Sequence, residues 1–183
     1  MMRVITGLAR GRKLKTLEGM DVRPTTERVK EAMFSAIQFD IEGRKVLDLF
    51  AGSGQLGIEA LSRGAALAVF VDESRDAVAI VKENLHTAGL EANARVINSD
   101  AFAYLAGRGE QFDIAFLDPP YRPGRLMEIL PRLRERMTPH GVVLCEHAAD
   151  EALPQSPRGF EKQKDYRYGK IAVTIYRCRP DKD

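Results

Sequence analysis

A carboxylate, two prolines and an aromatic ring stand in succession at Asp118-Pro119-Pro120-Tyr121, directly after the apolar run Phe112–Leu117. Neither proline can donate to a β-ladder, and the first restricts the residue before it, so the pair ends a strand in a stiff, extended turn. Such a turn presents an acid, a backbone carbonyl and an aromatic face side by side. That set suits a flat molecule bearing an exocyclic amino group. Asp118 and the Pro119 carbonyl accept its N–H hydrogens, Pro120 stiffens the turn, and the Tyr121 ring stacks on the plane.

A second constellation lies about seventy residues upstream, at Asp48-Leu49-Phe50-Ala51-Gly52-Ser53-Gly54-Gln55-Leu56-Gly57. Gly52 and Gly54 allow a tight turn and close approach of a ligand to the next helix. The spacing is formally G-x-G-x-x-G with an acid, Asp72, beyond it, which is also the dinucleotide pattern. Two details favour S-adenosylmethionine over a dinucleotide. Asp48 would repel a pyrophosphate but suits a ligand with an ammonium and a sulfonium and no phosphate. Asp100, in Asn98-Ser99-Asp100-Ala101, offers an acceptor to an adenine amino group, while Asp72 takes the ribose hydroxyls. Phe50 and Ala101, beside two of these acids, join the expected cofactor-binding set.

The elements that must carry these groups follow from periodicity. Strands are expected at Lys45–Leu49, Leu67–Val71, Ala94–Ile97, Phe112–Leu117 and Val142–Glu146. Helices are expected between them, at about Gly54–Arg63, Ser74–Ala88, Ala101–Ala106 and Arg125–Arg136. Strands apolar throughout and separated by amphipathic helices imply a parallel sheet covered on both faces. Asp48, Asp72, Asp100 and Asp118 then fall at four successive strand tips, the edge where open α/β sheets bind ligands. Phe160–Tyr166 and Ile171–Arg177 read as a closing antiparallel hairpin. Before the alternating region, Pro24-Thr25-Thr26 opens a helix with Thr26 as its N-cap and Val29, Met33, Ala36 and Ile37 as its apolar stripe.

The chain has 183 residues, 44% hydrophobic and 30% charged, which fits one soluble globular domain. No apolar run reaches a membrane span, and the N-terminal residues have no apolar core fit for a signal peptide. Cys145 and Cys178 read as buried thiols of a reducing cytosol, and no metal-ligand spacing is present, so no metal is expected. Net charge is +2, unevenly placed: residues 1–30 hold eight basic side chains and three acids. Arg3-Val4-Ile5 and Lys13-Leu14-Lys15, flanking Gly7 and Gly11, suggest a short basic hairpin, a footprint for a phosphate backbone.

The whole chain resembles the RsmD-type bacterial 16S ribosomal RNA (guanine-N2) methyltransferases. The resemblance is carried by Arg3–Gly7 with Arg10-Gly11-Arg12-Lys13-Leu14, by Arg23-Pro24-Thr25-Thr26-Glu27-Arg28-Val29-Lys30-Glu31, by Leu47–Gly54 with Leu56–Gly64, and by Asp118–Tyr121. Gln55 stands where relatives have a small residue. The resemblance implies a Rossmann-like class I S-adenosylmethionine-dependent fold: a mostly parallel seven-stranded sheet, helices on both faces, a C-terminal antiparallel hairpin and a basic N-terminal arm. It implies one methyltransferase domain over 1–183, with the arm at 1–22, an entry helix at 23–43 and the catalytic core at 44–183. It implies methylation of the N2 amino group of guanine 966, in the usual 16S numbering, on the small ribosomal subunit, by a cytoplasmic monomer with no metal and no membrane partner. Arg10, Arg12, Lys13 and Arg23 would then hold RNA, and Thr25 with Arg23 would form a lip over the cofactor's amino-acid end. The arginines of the Arg125–Arg136 helix read as its solvent face, and Lys162, Lys164, Arg167 and Lys170 as a solvated hairpin edge. Two other readings stay open: a DNA or other-RNA amino-group (adenine-N6 or cytosine-N4) methyltransferase, and a non-catalytic RNA-binding assembly factor.

Overall fold

The computed structural model describes residues 2–17, 24–120 and 122–180, with the side chains of 24–26 outside that description. The chain runs α1 (Pro24–Ala36), β1 (Lys45–Asp48), α2 (Gln55–Ser62), β2 (Leu67–Asp72), α3 (Arg75–Ala88), β3 (Ala94–Asn98), α4 (Ala101–Ala106), β4 (Phe112–Leu117), α5 (Arg125–Arg134), β5 (Met137–Ala148), β6 (Phe160–Tyr168) and β7 (Ile171–Cys178). A seven-stranded sheet has the order β3-β2-β1-β4-β5-β7-β6. β1 to β5 are parallel, and β7 pairs antiparallel with both β5 and β6. The chain builds outward from β1 to β3, then returns to add β4 on β1's other side. That reversal leaves the crevice between the β1 and β4 tips open to a ligand.

Alternation along each strand divides the core in two. Val46, Phe70, Ile114, Phe116, Leu144 and Val173 face a layer built by α1, α2 and α3. Leu47, Val69, Ala115, Leu117, Val143 and Tyr176 face α4 and α5. Both faces are thus dry, as the unbroken apolar strands require. Among the described residues no helix is long and apolar enough to cross a membrane.

Several elements differ from expectation. α1 is already helical at Pro24, so Thr26 lies inside the helix and is not its N-cap. Its buried stripe is Val29, Met33, Phe34 and Ile37; Ala36 is exposed. β5 begins at Met137, not Val142, because Thr138-Pro139-His140-Gly141, a turn by composition, is accommodated as an irregularity between the pairs Phe112↔Met137 and Ile114↔Val142. α5 ends at Arg134, which turns Arg136 inward. Its guanidinium is buried and donates to the carbonyls of Tyr104, Gly107 and Glu110. It is no part of a solvent face. Lys162 and Arg167 likewise donate to the carbonyls of Leu153 and Ala149, so the β6 edge is partly tied down.

The basic hairpin reduces to one antiparallel bridge, Arg3↔Lys13. The segment is held instead by buried polar side chains of the helices beneath. Glu59 accepts the N–H groups of Ile5 and Thr6 at 2.9 and 3.0 Å, Ser62 Oγ accepts that of Ala9 at 2.9 Å, and Asn84 Oδ1 that of Lys15 at 2.7 Å. Gly7 permits this docking: at φ +91°, a Cβ there would meet the Ser62 carbonyl oxygen at 1.9 Å.

Candidate active site

Side chains alternate across a strand, so residues two apart share a face. Asp48 follows Val46, Asp72 follows Phe70, and Asp118 continues from Phe116; all three belong to the face covered by α1, α2 and α3. Asp48 of β1 lies opposite Phe116 of β4, two residues short of Asp118. On β4's other side the last pair is Leu117↔Cys145. Asp118 and Glu146 each follow that pair by one residue, and they are near enough for the charge of Asp118 to act on Glu146. Glu146 follows Leu144 in the same alternation on β5, which runs on to Ala148, and was not among the expected site residues. An acid at a fifth strand tip was the available signal, hidden because the residue reads as the plain end of an apolar strand.

The glycine loop sits directly above these tips. Gly54 ends it at φ +81°, a left-handed conformation that favours glycine, and is the N-cap of α2 with no side-chain cap. A Cβ on Gly57 would stand 2.3 Å from the Phe70 ring, so the first turn of α2 lies close on β2. The loop is closed from below by two acids. Asp72 accepts the Gly52 N–H at 2.9 Å and the Ser74 N–H at 2.9 Å, while Asp48 accepts the Gly57 N–H at 3.0 Å. Asp100 caps α4 through the Ala103 N–H at 3.0 Å, with Ala101 buried beside it. Phe50 is half-buried, with the Arg125 guanidinium 5.9 Å from its ring centre.

The electrostatics of this crevice are unusual. Asp48 is only 2% exposed, and burial pushes its carboxyl up to about 8, with Asp118 and Asp72 adding repulsion against the Gly57 hydrogen bond. Burial pushes Asp118 up to about 6. Burial, then the charge of Asp118, pushes Glu146 up to about 8. No cation of the described residues offsets these three carboxyls. The set therefore fits a ligand that brings positive charge and no phosphate, as S-adenosylmethionine does through its ammonium and sulfonium, and it opposes a pyrophosphate. Asp48, Phe50, Gly52, Gly54, Asp72, Asp100 and Ala101 line the edge where that ligand would lie.

The residues read from sequence fall into two places. Asp48, Asp72, Asp118, Pro119 and the glycine loop converge on the β1/β4 crevice; Pro119 is buried and Pro120 exposed. Arg10, Arg12 and Lys13 are exposed on the arm that crosses α2 and α3. Thr25 stands in the first turn of α1, its side chain outside the described set, and Arg23 and Tyr121 lie outside the described residues altogether.

Comparison with known proteins agrees with this geometry. A protein-family model described as "Conserved hypothetical protein 95" matches residues 2–177. Ribosomal RNA small subunit methyltransferase D of Escherichia coli is 38% identical over 178 residues, covering 96% of this chain and 89% of that protein. Its Haemophilus influenzae namesake is 34% identical over 180 residues, covering 96% and 93%. A solved Escherichia coli structure at 37% identity superposes with a TM-score of 0.88 over 98% of this chain and 99% of that one. An RNA methyltransferase from Salinibacter ruber in complex with S-adenosyl-L-homocysteine, 18% identical over 88% of this chain and 96% of that one with a TM-score of 0.67, shares the fold.

Proposed function

We propose, from the premise that this chain belongs to the Conserved hypothetical protein 95 family, which includes the ribosomal RNA small subunit methyltransferases D, that it methylates the N2 amino group of a guanine in 16S ribosomal RNA. The observation that carries the reading is the cluster of Asp48, Asp118 and Glu146 carboxyls, which no cation among the described residues offsets, beside a strand-ending Asp-Pro-Pro turn. Bound S-adenosylmethionine supplies the methyl group as an electrophile. Asp48 holds the ligand's cationic end, Asp72 and Asp100 its ribose and adenine, and the loop from Gly52 to Gly54 lets it approach the backbone.

The lone pair of N2 is delocalised into the purine, so the protein's work is to aim it. Asp118 and the Pro119 carbonyl accept the two N2 hydrogens, which favours a pyramidal nitrogen with its lone pair directed at the methyl carbon. Fixing two reactants in this way supplies about 7–11 kcal/mol. As the N–C bond forms, the bond from methyl to sulfur breaks, its electron pair stays on sulfur and S-adenosylhomocysteine leaves. One N2 proton is lost, and Asp118, with its carboxyl pushed up to about 6, is placed to accept it. Tyr121 stacks on the base, which leaves its own stack to enter the crevice. Arg10, Arg12, Lys13 and Arg23 hold phosphates. We read residues 1–183 as one domain working as a cytoplasmic monomer on the small subunit, with guanine 966 as the target.

The test is tritium transfer from labelled S-adenosylmethionine to small subunits from cells lacking this enzyme, with the product nucleoside identified. N2-methylguanosine from wild type, with Asp118→Ala slower by about 10²-fold or more, supports the reading. Transfer to DNA, or to adenine or cytosine, overturns the substrate; equal rates for both proteins overturn the role of Asp118.

A further inference from the structure

Glu146 has no part in the chemistry above, yet it stands at its centre. It continues β5 one step beyond the pair Leu117↔Cys145, which sets it beside Asp118. It lies on the same sheet face, following Leu144 as Asp118 follows Phe116. On β7 its partner is Val173, and Val173's partner on β6 is Tyr166. The groups facing it are few. Asp118 is beside it on β4, Asp48 lies beyond on β1, and Tyr166 stands across Val173. From α1, which covers this face, Lys30 is engaged by Glu59 and Glu27 by Arg3. Nothing among the described residues hydrogen-bonds the Glu146 carboxyl, and none of them gives it a countercharge. A half-buried acid with neither partner is costly unless a ligand uses it.

We propose that Glu146 is the specificity-determining residue for guanine: its carboxyl pairs with the N1–H and O6 of the target base while Asp118 takes the adjoining N2 hydrogens. The inference rests on the proposed guanine-N2 reaction and adds the residue that chooses the base. Guanine presents an acceptor, a donor and a donor in a row at O6, N1 and N2. A neutral carboxyl presents one donor and one acceptor, which complements O6 and N1–H; an ionised carboxylate beside it complements N2. Two neighbouring carboxyls that repel cannot both ionise readily; burial raises both, the charge of Asp118 raises Glu146 further, and the one proton the pair retains is the one we place on Glu146. Adenine and cytosine present an acceptor at the ring nitrogen beside the amino group; a carboxyl turned to donate to it leaves its carbonyl oxygen against a C–H in adenine or a second acceptor in cytosine. Rejecting a base by unpaired buried polar groups is an effective form of discrimination.

The experiment measures kcat/KM for methylation of small subunits from pH 7 to 8.5, a range over which guanine N1 stays protonated, for wild type, Glu146→Gln and Glu146→Leu. The free enzyme's titration governs kcat/KM; Asp48, also held to about 8, titrates in wild type and Glu146→Gln alike, so the ratio of wild type to Glu146→Gln isolates Glu146 and falls about fourfold across that range. Glutamine keeps one donor and one acceptor and does not titrate, and its value at pH 7 lies within a few-fold of wild type. Leucine lowers kcat/KM at least tenfold at pH 7. A ratio of wild type to Glu146→Gln that stays constant across the range, or a Glu146→Leu value equal to wild type, overturns the role. Should the leucine protein not fold, the glutamine profile decides. If wild type makes no N2-methylguanosine from any RNA, the guanine reaction itself has failed; if it does, an adverse result falls on Glu146 alone.

Discussion

Asp48 shows how one side chain can serve the fold poorly and a ligand well. In the unfolded chain its carboxyl titrates near 3.8; in the folded protein burial holds it at about 8. Folding therefore favours the protonated form, so the stability Asp48 contributes is present below pH 4 and lost as pH rises to about 8. Asp48→Asn keeps an oxygen for the Gly57 N–H and removes the charge. Its thermal midpoint, measured by scanning calorimetry, is expected to match wild type at pH 4 and exceed it at pH 8 by about 10 °C or more. Its affinity for S-adenosylmethionine, by titration calorimetry, is expected to drop, because the anion proposed to hold the ligand's cationic end is gone. Asp48 was legible in the sequence as an acid at a strand tip. Its burial was not, since that depends on α2 folding back over β1.

At the scale of elements, α2 does more than follow the glycine loop. Glu59, wholly buried on it, accepts from Ile5, Thr6, Lys30 at 3.2 Å and Arg63 at 3.0 Å, so one carboxylate joins the arm, α1 and α2. Lys30 is 3% exposed, and its burial lowers its pKa even beside Glu59. Removing the acid would strand that ammonium in the interior. Glu59→Ala is expected to cost about 3–5 kcal/mol in denaturant unfolding, and adding Lys30→Met should recover part of it. The sequence shows Glu59 only as a polar residue in an apolar helix. The same limit hid Arg136, which periodicity assigned to a solvent face until the end of α5 at Arg134 swung it beneath Tyr104.

Over the whole molecule, charge and geometry divide the labour. The acidic crevice lies at the carboxyl edge of the sheet, and the exposed Arg10, Arg12 and Lys13 project from the arm, with Leu8 87% exposed beside them. The arm's contacts to phosphate would be distinct from cofactor binding. Arg12→Ala is expected to weaken binding to small subunits and to flatten the dependence of log K on log salt by about 0.7 per lost single-strand phosphate contact. Filter binding across a salt series measures this, and S-adenosylhomocysteine affinity should stay unchanged.

Alternating apolar strands and amphipathic helices in the sequence were enough to specify a parallel sheet. The Asp-Pro-Pro turn and the glycine loop were enough to mark its chemistry, because both depend on residues adjacent in the chain. Pairing across the sheet was a different matter. Residues 48, 118 and 146 lie far apart in sequence, and a carboxyl's charge depends on what surrounds it in space. Only the register of β1, β4 and β5 brought the three acids to one edge, and burial first, then their charges on one another, raised their pKa values. The same packing turned Glu59 from a polar interruption into the anchor of the arm.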